Sequence, residues 1–470
     1  MKEEHKRKQY PYWCGVLLLY LMTCLSSCQE DKINSSGYDP SKPVVFKEFS
    51  PTEGGLRTQL HIYGENFGDD PSKVHITIGG QKTTTIGCTN NEIYCMVPPR
   101  AFDGDISISI ESADGTTSPV AYKFEQRFQY VSKASVGTLV GNEDENGNSP
   151  NIDGDFVKAR FENPEWLLMD TFGINKALIV CGPGGPIRKT DLFQKEVSTL
   201  MTNGQGSFTN MQFTTIDATG DTIFVSDDNY QSSKERREIA YLLRSENFRK
   251  AHAYVYDRTG YCCVYHPTEK AVYYNTYWKG AIQKAVYDPA TQGMTGVEVF
   301  NVFESRDTGT FLTIHPDGKY MYIAGANCIS KAIYNKDTKK FQSPIVFAGK
   351  EGDSNYYDAP GTQARFTWPY QGTFVKNPEY VKEGKEDVYD FYICDRHAHC
   401  IRKITPSGIV STFAGRGSVS SDGNVSGYID GDLRKEARFD NPCGIAYDES
   451  TQTFYIADKE NHRIRTISVE

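Results

Sequence analysis

The chain contains no Cys-x-x-Cys pair, no His-rich cluster with metal-ligand spacing, no Gly-x-Ser-x-Gly elbow, no His-Glu-x-x-His helix and no phosphate loop. These absences remove the usual zinc and redox frameworks and the standard serine-hydrolase, metallopeptidase and nucleotide sites, so no cofactor is expected. Positive charge is also short, with 51 Lys and Arg against 60 Asp and Glu, giving a net charge of −9. Phosphate backbones and anionic headgroups reward clustered Lys and Arg, so nucleic acid is excluded as a partner and anionic lipid is a poor one. Long apolar segments are missing: the run Val16 to Met22 is too short to span a bilayer, and no uninterrupted heptad pattern appears. What is abundant is Tyr (30), Phe (25) and Gly (41), a β-rich composition in a chain of 470 residues, long enough for two or more domains.

The basic start (Lys2, Lys6, Arg7, Lys8), the short apolar run and the ending Leu25-Ser26-Ser27-Cys28 together resemble a bacterial lipoprotein signal. That resemblance makes residues 1–27 a signal peptide and Cys28 the lipidated residue. The sequel Gln29-Glu30-Asp31-Lys32 is similar to the surface-export signal of Bacteroidota lipoproteins, which implies the extracellular face of the outer membrane, with membrane contact through the lipid anchor only. Removing residues 1–27 takes away four Lys/Arg and two Asp/Glu and moves the net charge to −11. Of the twelve cysteines, nine then belong to the folded part, an odd number that leaves at least one unpaired. Cys88 with Cys95 and Cys394 with Cys400 are candidate local bridges across hairpin turns, but nine irregularly spaced cysteines make no disulfide scaffold, and mostly buried free thiols are expected.

Residues 28–42, rich in Ser, Asp, Lys, Gly and Pro, read as a flexible tether. Short alternating runs follow, such as Val74-His75-Ile76-Thr77-Ile78 and Ile106-Ser107-Ile108-Ser109-Ile110, separated by Gly, Asn and Asp turns. This is the pattern of a small β-sandwich. Phe49-Ser50-Pro51, Gly54-Gly55, Ile62-Tyr63-Gly64-Glu65-Asn66-Phe67-Gly68 and Val97-Pro98-Pro99 resemble an IPT/TIG domain, an immunoglobulin-like module, over residues 43–126. The resemblance implies a turn in which the glycines accept positive φ and Phe67 plugs the sandwich, in a domain that acts as a spacer.

From residue 134 to 470 an apolar run recurs six times: Leu178-Ile179-Val180, Ile223-Phe224-Val225, Val272-Tyr273-Tyr274, Met321-Tyr322-Ile323, Phe391-Tyr392-Ile393 and Phe454-Tyr455-Ile456. Their centres are 45, 49, 49, 70 and 63 positions apart, a period that predicts blades of a six-bladed β-propeller in an all-β chain. Ala159-Arg160-Phe161-Glu162-Asn163-Pro164, Ala364-Arg365-Phe366-Thr367-Trp368-Pro369, Ala437-Arg438-Phe439-Asp440-Asn441-Pro442 and the ending Tyr455 to Arg465 resemble NHL repeats. The middle blades keep only the strand rhythm and the turns His266-Pro267 and His315-Pro316. The chain ends on a third strand, so Ala134 to Val140 is expected to close the ring as the missing fourth strand.

Catalysis on a propeller draws carboxylates, Asn or His from several blades, which singles out Asp170, Asp217, Asp227, Asp448 and His315 for inspection. Asp residues after the first and second strands are nevertheless ordinary turn residues, and His399 and His462 occupy equivalent repeat positions, which favours a shared structural bond. No enzyme is expected. In blade topology the inter-blade loops and the turns between second and third strands open on one face, and Trp166, Trp368 and Trp278 all fall there. With Tyr277, Tyr370 and the insert carrying Tyr230 and Arg236, they form the candidate ligand-binding set, because flat rings on a polar face suit sugar stacking; for Trp166 and Trp368 the alternative is that they wedge between blades, which makes Trp278 the leading candidate.

A lipoprotein with a tether, an IPT/TIG spacer and an NHL propeller resembles accessory lipoproteins of glycan-utilisation loci in gut Bacteroidota. The resemblance implies capture of polysaccharide or oligosaccharide beside an outer-membrane importer complex. Two other classes remain open: a scaffold docking to that importer or to a surface enzyme, and a metal-dependent polysaccharide lyase or hydrolase.

Overall fold

The computed structural model describes residues 38–98, 100–111, 119–228, 237–256, 260–304, 308–418 and 425–469. The signal segment, Cys28, most of the tether, Pro99, Tyr230 and Arg236 lie outside the described residues. Two compact units result, Met1–Ser132 and Lys133–Glu470.

In the first unit, Val45–Ser50, Gln59–Glu65, Glu92–Met96 and Thr84–Thr89 form one antiparallel sheet, and Gln81–Lys82, Val74–Ile78, Ile106–Ile110 and Val120–Lys123 a second. The strand period of two sends Ile106, Ile108 and Ile110 inward to a core with Ile76, Ile78, Ile93 and Phe124, each buried Ile contributing about 2 kcal/mol of transfer free energy. Phe67 is buried in that core, as expected. The glycine reading needs one correction: positive φ falls on Asn66 (64°) and Gly68 (81°), whereas Gly64 is required for close approach, since a Cβ there would lie 2.2 Å from the Phe67 ring.

The second unit contains six four-stranded antiparallel blades. Their innermost strands are Trp166–Asp170, Met211–Ile216, Gly260–His266, Phe311–Ile314, Pro369–Lys376 and Pro442–Asp448, and each packs against the innermost strands of its two neighbours, closing a ring. The recurring apolar runs are the second strands, Ala177–Cys181 through Thr453–Asp458. They read as continuous runs because stacked blades cover both faces, and Ala177–Cys181, Tyr320–Gly325 and Thr453–Asp458 are buried at every position. Ala134–Val140 pairs antiparallel with Arg463–Val469, Val136 opposite Ile467, so the last blade borrows its outer strand from the start of the unit as expected.

Register also decides the cysteines. Cys394 pairs with Ile401 and Cys400 with Asp395, so the two thiols project to opposite faces of one hairpin; Cys88 pairs with Ile93 while Cys95 pairs with Thr85. Neither candidate bridge forms, and all nine described cysteines are free thiols, eight of them buried.

Candidate functional site on the loop face of the propeller

The innermost strands begin at the loop face, and their first residues fill the axis with rings. Trp166 lies 4.8 Å from Phe213 and 6.3 Å from Phe311, and Phe311 meets Tyr370 at 3.8 Å with the rings tilted by 34°. Gln371, one residue further in, accepts from Leu167 N and Ile445 N and donates to Leu167 O, tying three blades together across the axis. The axis is therefore packed at this depth.

Two of the expected contact residues belong to the plug. Trp166 is only 4% exposed and its Nε1 donates to the Thr214 carbonyl at 2.9 Å; Tyr370 is 2% exposed and its hydroxyl donates to Glu165 Oε2 at 2.6 Å. The expectation that they face ligand is corrected: both support the floor, because rings next to the axis complete the contact between blades. Trp278 is different, at 67% exposed in the short turn Trp278–Gly280 of blade 3, where Lys279 and Gly280 take φ of 52° and 57°. Tyr277 and Trp368 are exposed to a lesser degree, at 38% and 39%.

These rings are linked. Tyr261 packs edge-on against Tyr277 at 4.8 Å and lies 5.5 Å from Phe311, which in turn touches Tyr370. The Arg396 guanidinium sits 5.7 Å from the Tyr370 ring and 5.0 Å from Trp368, and His397 packs edge-on against Trp368 at 4.8 Å. Ring contacts therefore run from Tyr277, next to Trp278 in the chain, through Tyr261 and Phe311 to Tyr370, and Arg396 connects Tyr370 to Trp368. Glu165 accepts from Tyr370 and pairs with Lys459 at 2.9 Å. Burial, reinforced by neighbouring Tyr277 and Glu165 for one and by Tyr261 and Glu165 for the other, pushes the Tyr261 and Tyr370 phenols well above their ordinary range, so both stay neutral hydrogen-bonding groups.

Comparison with known proteins matches residues 44–124 to the IPT/TIG domain and 439–467 to the NHL repeat. No curated protein matches the sequence. Among solved structures, an auxiliary nutrient binding protein from Bacteroides thetaiotaomicron shares 37% identity over 92% of this chain and 99% of its own, with a TM-score of 0.70. One of the same description from Bacteroides ovatus shares 33% over 92% and 100%, also at 0.70. The chain belongs to this Bacteroides TIG–NHL family. A further relative from B. thetaiotaomicron, provisionally named a phosphatase, shares 32% identity over 93% and 99% at 0.69.

The carboxylates singled out in this TIG–NHL chain are all committed to structure. Asp170 accepts from Phe172 N and pairs with Arg244 at 2.7 Å, Asp217 accepts from Asp221 N, Asp227 accepts from Thr209 N and Asn210 N, and Asp448 holds Lys176 and Ser450. His315 folds its own turn, its Nδ1 accepting from Asp317 N at 3.1 Å, and His266 does the same with Glu269 N. His399 and His462 each bond the loop opening the next blade, but with opposite polarity: His399 Nδ1 accepts from Asn441 N, whereas His462 Nδ1 donates to the Glu162 carbonyl. Among the described residues no group of three or more His, Cys, Asp or Glu is placed to hold a metal.

Sequence reading missed Tyr261, Glu165, Lys459 and Arg396. A signal was present for the last two, since Arg396 after Asp395 and Lys459 after Asp458 occupy one repeat position, both in turns of the loop face.

Proposed function

We propose that this protein captures oligosaccharide or polysaccharide nutrient on the loop face of its propeller without transforming it, held through lipid on Cys28 at the extracellular face of the outer membrane beside an importer complex. The observation that carries this reading is the exposed Trp278, with Tyr277 beside it and Trp368 exposed on the same loop face. Pyranose C–H faces are apolar and stack on such rings, while the hydroxyls meet the polar groups between them. The relatives described as auxiliary nutrient binding proteins support capture over chemistry, and the commitment of the candidate carboxylates to turns supports it independently. Among the described residues no helix is long and apolar enough to cross a membrane. Weak individual contacts suffice when many chains engage one polymer.

The test is a retardation and calorimetric screen of the purified protein against plant and host polysaccharides, with Trp278→Ala alongside and product analysis of every mixture. Retention without cleavage, weakened by the substitution, is the expected result. Cleavage would establish a lyase or hydrolase instead, and no retention across the panel would leave a docking scaffold whose aromatic rim meets protein.

A further inference from the structure

One turn is repeated in blades 5 and 6, and its cation is treated differently in each. In blade 6 Lys459 reaches Glu165 at 2.9 Å. Glu165 belongs to the run Phe161-Glu162-Asn163-Pro164-Glu165, which opens blade 1. In blade 5 the cation is Arg396, and the run opening the next blade reads Phe439-Asp440-Asn441-Pro442-Cys443. A thiol therefore stands where the partner carboxylate would be. Burial, the largest influence on Cys443, pushes that thiol far above its ordinary range and keeps it neutral.

The repeat has kept the cation and dropped its anion. Among the described residues no carboxylate lies within ion-pair distance of Arg396, and its buried Nε has no acceptor. The acids that act on Arg396 from nearby, Glu165 and Glu460, are both paired with Lys459, Glu165 also accepting from Tyr370, and Asp395 is held by Thr367, Trp368 N and Arg402. Arg396 is nevertheless half-buried, its guanidinium carbon 5.0 Å from the exposed Trp368 ring and 5.7 Å from the Tyr370 ring.

We propose that Arg396 recognises an acidic sugar, its guanidinium pairing with a carboxylate or sulfate while the sugar ring lies against Trp368. A planar fork matches such oxyanions in two parallel hydrogen bonds, and partial burial strengthens each. This rests on the glycan-capture reading and narrows it to anionic chains. A protein of net charge −9 has no general attraction for polyanions, so retention of one requires a specific cationic site.

The experiment measures retention of the full-length protein on polygalacturonate, its fully methyl-esterified form, alginate, dextran sulfate, dextran and galactomannan at physiological salt, with Arg396→Gln and Arg396→Lys alongside. The expected result is binding of at least one acidic polymer that falls tenfold or more in Arg396→Gln. A comparable loss in Arg396→Lys, which keeps the charge without the fork, with thermal unfolding unchanged in both, identifies the fork as the cause. Loss on esterification assigns a carboxylate, and selective retention of dextran sulfate over dextran assigns a sulfate. Neutral polymers bound in preference to acidic ones, or acidic binding untouched by Arg396→Gln, would overturn the inference while leaving glycan capture standing. Failure of every polymer, neutral and acidic, would remove both.

Discussion

Arg402 donates to Asp395 at 3.0 Å with both side chains sealed from solvent, and Arg465 repeats the contact with Asp458 at 2.6 Å in the next blade. Each arginine reaches a second carboxylate in the loop before its blade, Asp358 or Asp430, which in turn accepts from a threonine of the outer strand, Thr412 or Thr138. Blade 1 keeps the pattern in Arg188, Asp153 and Thr199, but its second strand ends in Cys181 in place of the buried aspartate. One arginine therefore staples loop, third strand and outer strand in three blades.

Arg402→Met should strand the fully buried Asp395 without a counter-charge and cost about 3–5 kcal/mol. Arg188→Met should cost clearly less, because Asp153 is 47% exposed and regains water. Denaturant midpoints of the two variants decide this, and equal losses would show that the buried aspartate is not the cause.

Trp166→Ala removes a ring sealed between blades and should cost about 3–5 kcal/mol. Trp278→Ala should change stability by no more than about 0.5 kcal/mol, because its ring is largely in water. Thermal unfolding checks both, and a stability loss in Trp278→Ala would disqualify it as a reporter of ligand contact.

Asp387 joins blade 5 to blade 4 by accepting from Tyr320 at 2.8 Å and facing His315 Nε2 at 3.3 Å. Burial acts to raise its carboxyl, but the hydrogen bonds from His315, Tyr320 and the Tyr389 backbone outweigh it and hold the group at about 2. The folded value lies below the unfolded one, so this stabilisation is present above about pH 4 and is lost as pH falls towards 2, amounting to about 2 kcal/mol at most. Asp387→Asn should flatten the fall in unfolding free energy across that window, and an unchanged acid profile would refute the assignment.

The blades were legible because their second strands are covered on both faces, which forces unbroken apolar runs such as Met321-Tyr322-Ile323 whatever the loops do. The two wide spacings mark insertions, the segment 350–368 with the short helix Pro378–Lys382 and the segment 415–441, which lengthen loops without disturbing strands. Ring closure was legible for the same kind of reason, since a blade ending on its third strand leaves an edge that must be covered. The turn aspartates were readable too, because an Asp that satisfies the N–H groups of its own turn acts locally.

The composition of the loop face was only half legible. Local sequence places Trp166, Trp278, Trp368, Tyr277 and Tyr370 on one face, but whether a ring points to solvent or to the axis depends on residues hundreds of positions away. Trp166 is fixed by Thr214 and Phe213, and Tyr370 by Glu165 and Phe311, so only the closed ring turns those two into floor and leaves Trp278 in water. The amino-acid sequence by itself determined the two domains, the six blades and the borrowed strand, because hydrophobic periodicity and turn chemistry are local. The tertiary structure alone decided which aromatics can meet a ligand and that Arg396 stands without its anion, because burial and charge pairing arise only when distant blades are brought into contact.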